Sequence, residues 1–123
     1  MNGGIFSTIM KNKYVNKKTI IDNIKFDSKA EAKRYNELKL LLKAGEITQL
    51  EIHPRFTLLE NGKNKHDQGY GKITYIADFM YINTNDRVIT AEDVKGVKTQ
   101  TYSVKKRLFM AKYPNYKFLE IEA

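Results

Sequence analysis

The chain contains no cysteine. That excludes a disulfide framework and any thiolate metal site, and it agrees with a reducing, cytoplasmic setting. Long apolar runs are missing as well. Mean hydropathy is −0.55, and nothing approaches the roughly 20 apolar residues of a membrane span or the layout of a signal peptide. A soluble protein without a membrane partner is expected. Acidic residues are in short supply, 14 Asp and Glu against 22 Lys and Arg, giving a net charge of +8. This imbalance favours a polyanionic partner, nucleic acid above all. At 123 residues the chain is long enough for one core and leaves little for a second module.

What is present is organised around Tyr75 to Gly96. Two apolar, aromatic and β-branched stretches, Tyr75 to Ile82 and Arg87 to Lys95, flank the polar run Asn83 to Asp86 and predict a hairpin. With that four-residue turn, Ile82 faces Arg87, Asp78 faces Ala91, and Asp93 becomes the diagonal neighbour of Asp78 on one face. Alternation puts Lys95 on the same face, roughly 7 Å along from Asp93. It puts Glu92 on the opposite face, in a structural or secondary role. A buried charge without a partner or a metal is costly. Two carboxylates and an ammonium converging on a sheet are what metal-assisted phosphodiester hydrolysis requires: hard cations such as Mg²⁺ or Mn²⁺ take carboxylate oxygens, and a lysine steadies the attacking water or the phosphate.

Asp78 followed by Asp93-Val94-Lys95 on the next strand resembles the D…(D/E)xK signature of the PD-(D/E)XK nuclease superfamily, which includes restriction endonucleases and Holliday junction resolvases. Other acid-x-Lys triplets, Asp27-Ser28-Lys29, Glu31-Ala32-Lys33 and Glu37-Leu38-Lys39, lie beside or within a predicted helix. Only the fourth follows a strand that carries an aspartate. Ala77 stands where the superfamily has its proline. Together with Ile24 to Tyr35, His53 to Phe56 and Lys105 to Phe109, these segments resemble a family of small phage-encoded nuclease domains likened to junction resolvases and to the transposon endonuclease TnsA. The resemblance implies a restriction-endonuclease-like αβββαβ core, a central mixed sheet flanked by two helices. It also implies a DNA endonuclease of phage or prophage origin acting on branched or duplex DNA as a homodimer, with Mg²⁺ or Mn²⁺ held by Glu31, Asp78 and Asp93 and assisted by Lys95. The alternative is a non-catalytic basic DNA-binding module that keeps the nuclease fold.

The remainder fits around that centre. Residues 1–18 read as a basic arm, and 19–123 as the nuclease-like domain. Thr19 to Ile21 and Ile24 to Phe26 predict a short hairpin with an Asx-type turn. Ser28 as N-cap, Glu31 three residues on and Gly45 as stop bracket a helix over Lys29 to Ala44. Glu31 either closes a capping box or, as the resemblance implies, faces the metal. Arg34 is a candidate phosphate contact or a solvated side chain. Strands are expected over Ile47 to Ile52 and Arg55 to Leu59, with His53-Pro54 between them. His53 is a candidate DNA contact or proton carrier, or simply a bend residue. Glu60 to Gly71 predicts a mobile loop. A second helix from about Thr101 to Tyr113, with Val104, Leu108 and Ala111 inward, leads to a last strand over Tyr116 to Ile121, and this strand-helix-strand unit is expected to be a right-handed parallel crossover. Lys98, Gln100, Lys105 and Lys106 are candidate phosphate contacts, which position a nucleic acid without reading its sequence.

Overall fold

The computed structural model describes residues 18–123. By its internal contacts the chain divides into two compact units, residues 1–37 and 38–123. The basic arm expected at the N-terminus lies outside the described residues except for Lys18.

In the first unit, β1 (Thr19–Ile21) and β2 (Ile24–Phe26) pair antiparallel. Asp22 and Asn23 between them both have positive φ, 54° and 65°. That is the type I′ geometry whose twist suits a two-residue hairpin, rather than the Asx turn expected. The Asp22 carboxylate instead accepts a 2.8 Å hydrogen bond from the Tyr35 phenol, and the Tyr35 ring lies 5.0 Å from that of Phe26. Helix α1 (Lys29–Lys43) starts here. Ser28 Oγ accepts the Glu31 amide at 3.1 Å, so the predicted N-cap is in place.

The second unit holds the end of α1, closed by Gly45 at φ +80° and by bonds from the Gly45 and Glu46 amides to the Leu42 and Leu41 carbonyls. This is a Schellman stop, which needs the left-handed residue that glycine supplies freely. A four-stranded sheet follows in the order β10-β9-β8-β3, formed by β3 (Ile47–Ile52), β8 (Phe79–Asn83), β9 (Ile89–Lys95) and β10 (Lys117–Glu122). The first three run antiparallel to their neighbours, while β10 is parallel to β9. Parallel pairing demands a crossover, here α2 (Gln100–Lys112), as predicted. The architecture is mixed α/β, with a central mixed sheet and two helices among the described residues.

Strands β4 (Arg55–Leu59) and β7 (Ile73–Ile76) form a separate antiparallel pair. The predicted run Tyr75 to Ile82 is therefore broken at Ala77-Asp78, alongside the break at His53-Pro54. The two breaks hold each other: the His53 amide donates to the Asp78 carbonyl at 2.9 Å, and the Ala77 amide to the Pro54 carbonyl at 3.1 Å. The expected mobile loop contains a small hairpin, β5 (Gly62–Lys63) with β6 (Gly69–Tyr70). Asn64 Oδ1 ties its turn by accepting the His66 and Gln68 amides. A Cβ at Gly62 would stand 2.5 Å from the Tyr70 hydroxyl, so any side chain there would displace the half-exposed Tyr70 ring.

The hydrophobic core of this unit gathers Phe56, Leu58, Tyr75, Ala77, Ala91, Tyr102 and Phe109. Phe109 meets Phe56 edge-on at 4.8 Å and stacks on Tyr113 at 5.2 Å. The inward stripe of α2 is thus aromatic, and the predicted stripe is wrong. Val104 and Leu108 are 45% and 42% exposed, and Ala111 is exposed too. An aliphatic periodicity was the wrong signal where Tyr102, Phe109 and Tyr113 carry more area per residue.

Candidate active site

The register of the central hairpin differs from the one expected. Phe79 pairs with Glu92, Met80 with Ala91 and Ile82 with Ile89, so six residues rather than four separate the last pair, Asn83 at the end of β8 bonding through its amide to the Val88 carbonyl. Arg87 takes φ +63°, and Asn83 and Asp86 bind the Asn85 and Val88 amides through their side chains. Asx-bonded turn residues can lengthen a loop in ways that no count of polar residues reveals. The shift is two residues, which preserves face parity. The ladder ends at the Phe79–Glu92 pair, so Asp78 is not a paired residue of β8 and the diagonal pairing expected for it does not form.

Asp78 occupies the break before β8, half-buried. Its amide donates to the Glu92 carbonyl at 3.0 Å, and its Oδ2 accepts the Val94 amide at 2.7 Å. The carboxylate thus stands in for a backbone acceptor and carries the ladder past the point where the strand has ended. A nitrogen of the exposed His53 imidazole and a carboxylate oxygen of Asp78 lie within 4.8 Å of each other. His53 has φ +53°, an uncommon conformation for a residue with a Cβ. It is a bend residue as well as a neighbour of the aspartate.

Asp93 is 1% exposed. Its Oδ2 accepts a hydrogen bond from the Tyr75 phenol, and its Oδ1 lies 3.2 Å from Lys95 Nζ while accepting no hydrogen bond among the described residues. Burial, then the charge of Asp93, push the Tyr75 phenol well above its ordinary pKa, so it remains a neutral donor. Glu92, on the other face, is completely buried and accepts from the Tyr81 phenol. The expectation that it has a structural role on the face away from Asp93 agrees with this geometry.

The ammonium of Lys95 also stands 4.6 Å above the Tyr102 ring. Glu120, which the register places beside Asp93 on β10, accepts from the Tyr102 phenol at 2.8 Å and from Lys106 at 3.0 Å, and lies 3.2 Å from Lys98. These partners, the phenol first and then Lys106, hold the Glu120 carboxyl down to about 2. Sequence reasoning missed Tyr75, Tyr102 and Glu120. The one available signal was the alternation Phe118, Glu120, Glu122, which puts a carboxylate on the core side of the last strand.

The remaining candidates are dispersed. Lys98 and Lys106 are engaged by Glu120, and Lys105 donates to the Thr74 carbonyl at 3.0 Å. Gln100 opens α2 and lines a groove of about 350 Å³ with Ile73, Thr101, Val104, Lys105 and Leu108. In the first unit, Arg34 pairs with Glu37 at 3.0 Å, and Glu31 is buried in the first turn of α1.

Glu120 has a consequence for acid stability. A carboxyl whose folded pKa is depressed contributes stability that is full above its unfolded value, near 4.5, and disappears as pH falls through about 2. Glu120→Gln is expected to flatten the pH dependence of the unfolding midpoint across that window. Urea titrations at pH 5, 3.5 and 2 check this; a wild-type slope unchanged by the substitution would refute the assignment.

No helix among the described residues is long and apolar enough to cross a membrane. Residues 11–122 match the family model described as "Protein of unknown function (DUF1064)". No curated protein matches the chain.

Proposed function

Since the chain belongs to the DUF1064 family, whose description assigns no activity, we propose from the site itself that it is a divalent-metal-dependent DNA endonuclease of the PD-(D/E)XK type. The observation that carries this reading is the gathering of Asp78 and Asp93 about the Tyr75 and Tyr102 phenols, both of which feel the two carboxylate charges, with Lys95 Nζ 3.2 Å from Asp93 Oδ1. The order α1, β3, β8, β9, α2, β10 supports it, being the αβββαβ sequence of that fold once the β4–β7 excursion is set aside.

The donor set fits a hard cation. Asp78 and Asp93 offer carboxylate oxygens, no thiolate is available, and Asp93 Oδ1 is buried without a hydrogen bond. When bound, Mg²⁺ or Mn²⁺ supplies positive charge opposite the scissile phosphate. Tyr75, held neutral, keeps one oxygen of Asp93 engaged and leaves the other for the site. Lys95 donates toward the phosphate or the attacking water and stabilises the charge that develops as the P–O3′ bond breaks, leaving a 5′ phosphate. His53, exposed beside Asp78, is proposed to contact the phosphate backbone. The net charge of +8 supplies attraction to DNA that any sequence would feel. A homodimer acting on branched DNA in phage DNA metabolism, in the host cytoplasm, completes the proposal.

The test is a cleavage assay on labelled four-way junction, fork, linear duplex and single strand with Mg²⁺, Mn²⁺ or EDTA. Metal-dependent cutting is expected, strongest at the junction, with none in EDTA. Tight binding in EDTA with no cutting under any condition would instead identify a DNA-binding module.

A further inference from the structure

We propose that Tyr102 and Glu120 are positioning residues for Lys95, an inference that rests on the nuclease reading above. Lysine is a point charge on a flexible four-carbon stem, and its three donors have no fixed direction. Here the ammonium is bracketed: Asp93 Oδ1 lies 3.2 Å away, and the Tyr102 ring lies 4.6 Å beneath it. The electron-rich face of a phenol attracts a cation without offering it a proton acceptor. A cation bound at Asp93 competes with Lys95 for that carboxylate, whereas the ring remains a partner throughout. It keeps the ammonium at the site when the aspartate can no longer do so alone.

The ring is itself fixed at both ends. Its backbone amide is capped by Thr99 Oγ1 at 3.1 Å, and its phenol donates to Glu120 Oε2 at 2.8 Å. Glu120, Asp93's neighbour on β10, is a rival carboxylate for Lys95. It is already occupied by Lys106 and Lys98 as well as by the phenol. Two lysines that read as phosphate contacts therefore act here to satisfy a rival, leaving Lys95 to Asp93 and the ring.

Two readouts test this, one independent of cleavage. In the NMR spectrum the ε-methylene protons of Lys95, over an aromatic face, are expected upfield of those of the other lysines. Tyr102→Phe keeps most of that displacement, Glu120→Ala reduces it by loosening the ring, and Tyr102→Leu abolishes it. In parallel, Tyr102→Leu is expected to lower kcat by roughly 10- to 100-fold, the cost of misplacing a reacting group by about 1 Å, with KM within about twofold. Tyr102→Phe rescues most of that loss. An undisplaced Lys95 methylene in the wild type, or a folded Tyr102→Leu protein with the wild-type kcat, would overturn the proposal. Should Tyr102→Leu not fold, Glu120→Ala decides: an unaltered methylene signal and kcat would overturn it. Should the wild type cut no substrate, the nuclease reading fails, while the methylene signals still decide whether Tyr102 and Glu120 position Lys95.

Discussion

Replacing Lys95 with methionine is expected to reduce metal-dependent DNA cleavage by at least about a hundredfold, the scale set by removal of one preorganised electrostatic partner of a transition state. It is also expected to lower stability by about 1–3 kcal/mol, because Asp93 Oδ1 is buried and the ammonium is its charged partner. The two effects separate in a second variant. Adding Asp93→Asn removes the uncompensated charge, and neutralising both members of a buried pair is far less costly than stranding one. The double variant should therefore regain most of the lost stability in urea titrations and none of the activity. Cleavage at the wild-type rate by Lys95→Met, assayed below its unfolding transition, would remove Lys95 from the mechanism.

The largest expected loss of stability lies at Phe109. It has no exposed surface, and its ring contacts those of Phe56, Tyr75, Tyr113, Tyr116 and Phe118. Truncating such a side chain leaves a cavity that the surrounding rings close only in part. Phe109→Ala is expected to cost about 3–5 kcal/mol, a large share of the roughly 5–15 kcal/mol that holds an ordinary domain folded. Leu108→Ala, one residue away on a face 42% exposed, should stay within about 0.5 kcal/mol. Thermal unfolding of the pair is decisive for the orientation of α2. Equal losses, or a larger loss at Leu108, would restore the aliphatic stripe that periodicity suggested.

That contrast shows where the sequence was readable. Strands β3 and β4 and the start of α1 were legible to the residue, because Ser28, Gly45 and Pro54 mark their limits by local rules that distant contacts do not override. Alternation along the strands of the central hairpin put Asp93 and Lys95 on one face of β9, and their 3.2 Å ion pair agrees with it. The register of that hairpin was not legible, since the turn lengthened through side-chain bonds from Asn83 and Asp86 and a left-handed Arg87. The β5–β6 hairpin was hidden in a polar stretch whose pairing, Gly62 with Tyr70 and Lys63 with Gly69, follows no apolar alternation. Tyr75, Tyr102 and Glu120 are joined to the site by hydrogen bonds spanning 18 residues. Neither local propensity nor spacing reports such pairs.

The parallel pairing of β9 with β10 also sets an order of assembly. The β8–β9 hairpin closes locally, as the bond between Val94 and Asp78, 16 residues apart, indicates, and hairpins form within about 1–10 μs. Pairing β10 requires α2 to form and return the chain first, and non-local contacts carry a loop-closure cost before they give stability. Asp78 is thus bonded to β9 through the Val94 and Glu92 backbone by local closure alone, whereas Glu120 gathers Lys98 and Lys106 only once β10 is in place. Until β10 docks, the outer edge of β9 has no strand beside it, and an unpaired edge is where a chain pairs with another copy of itself.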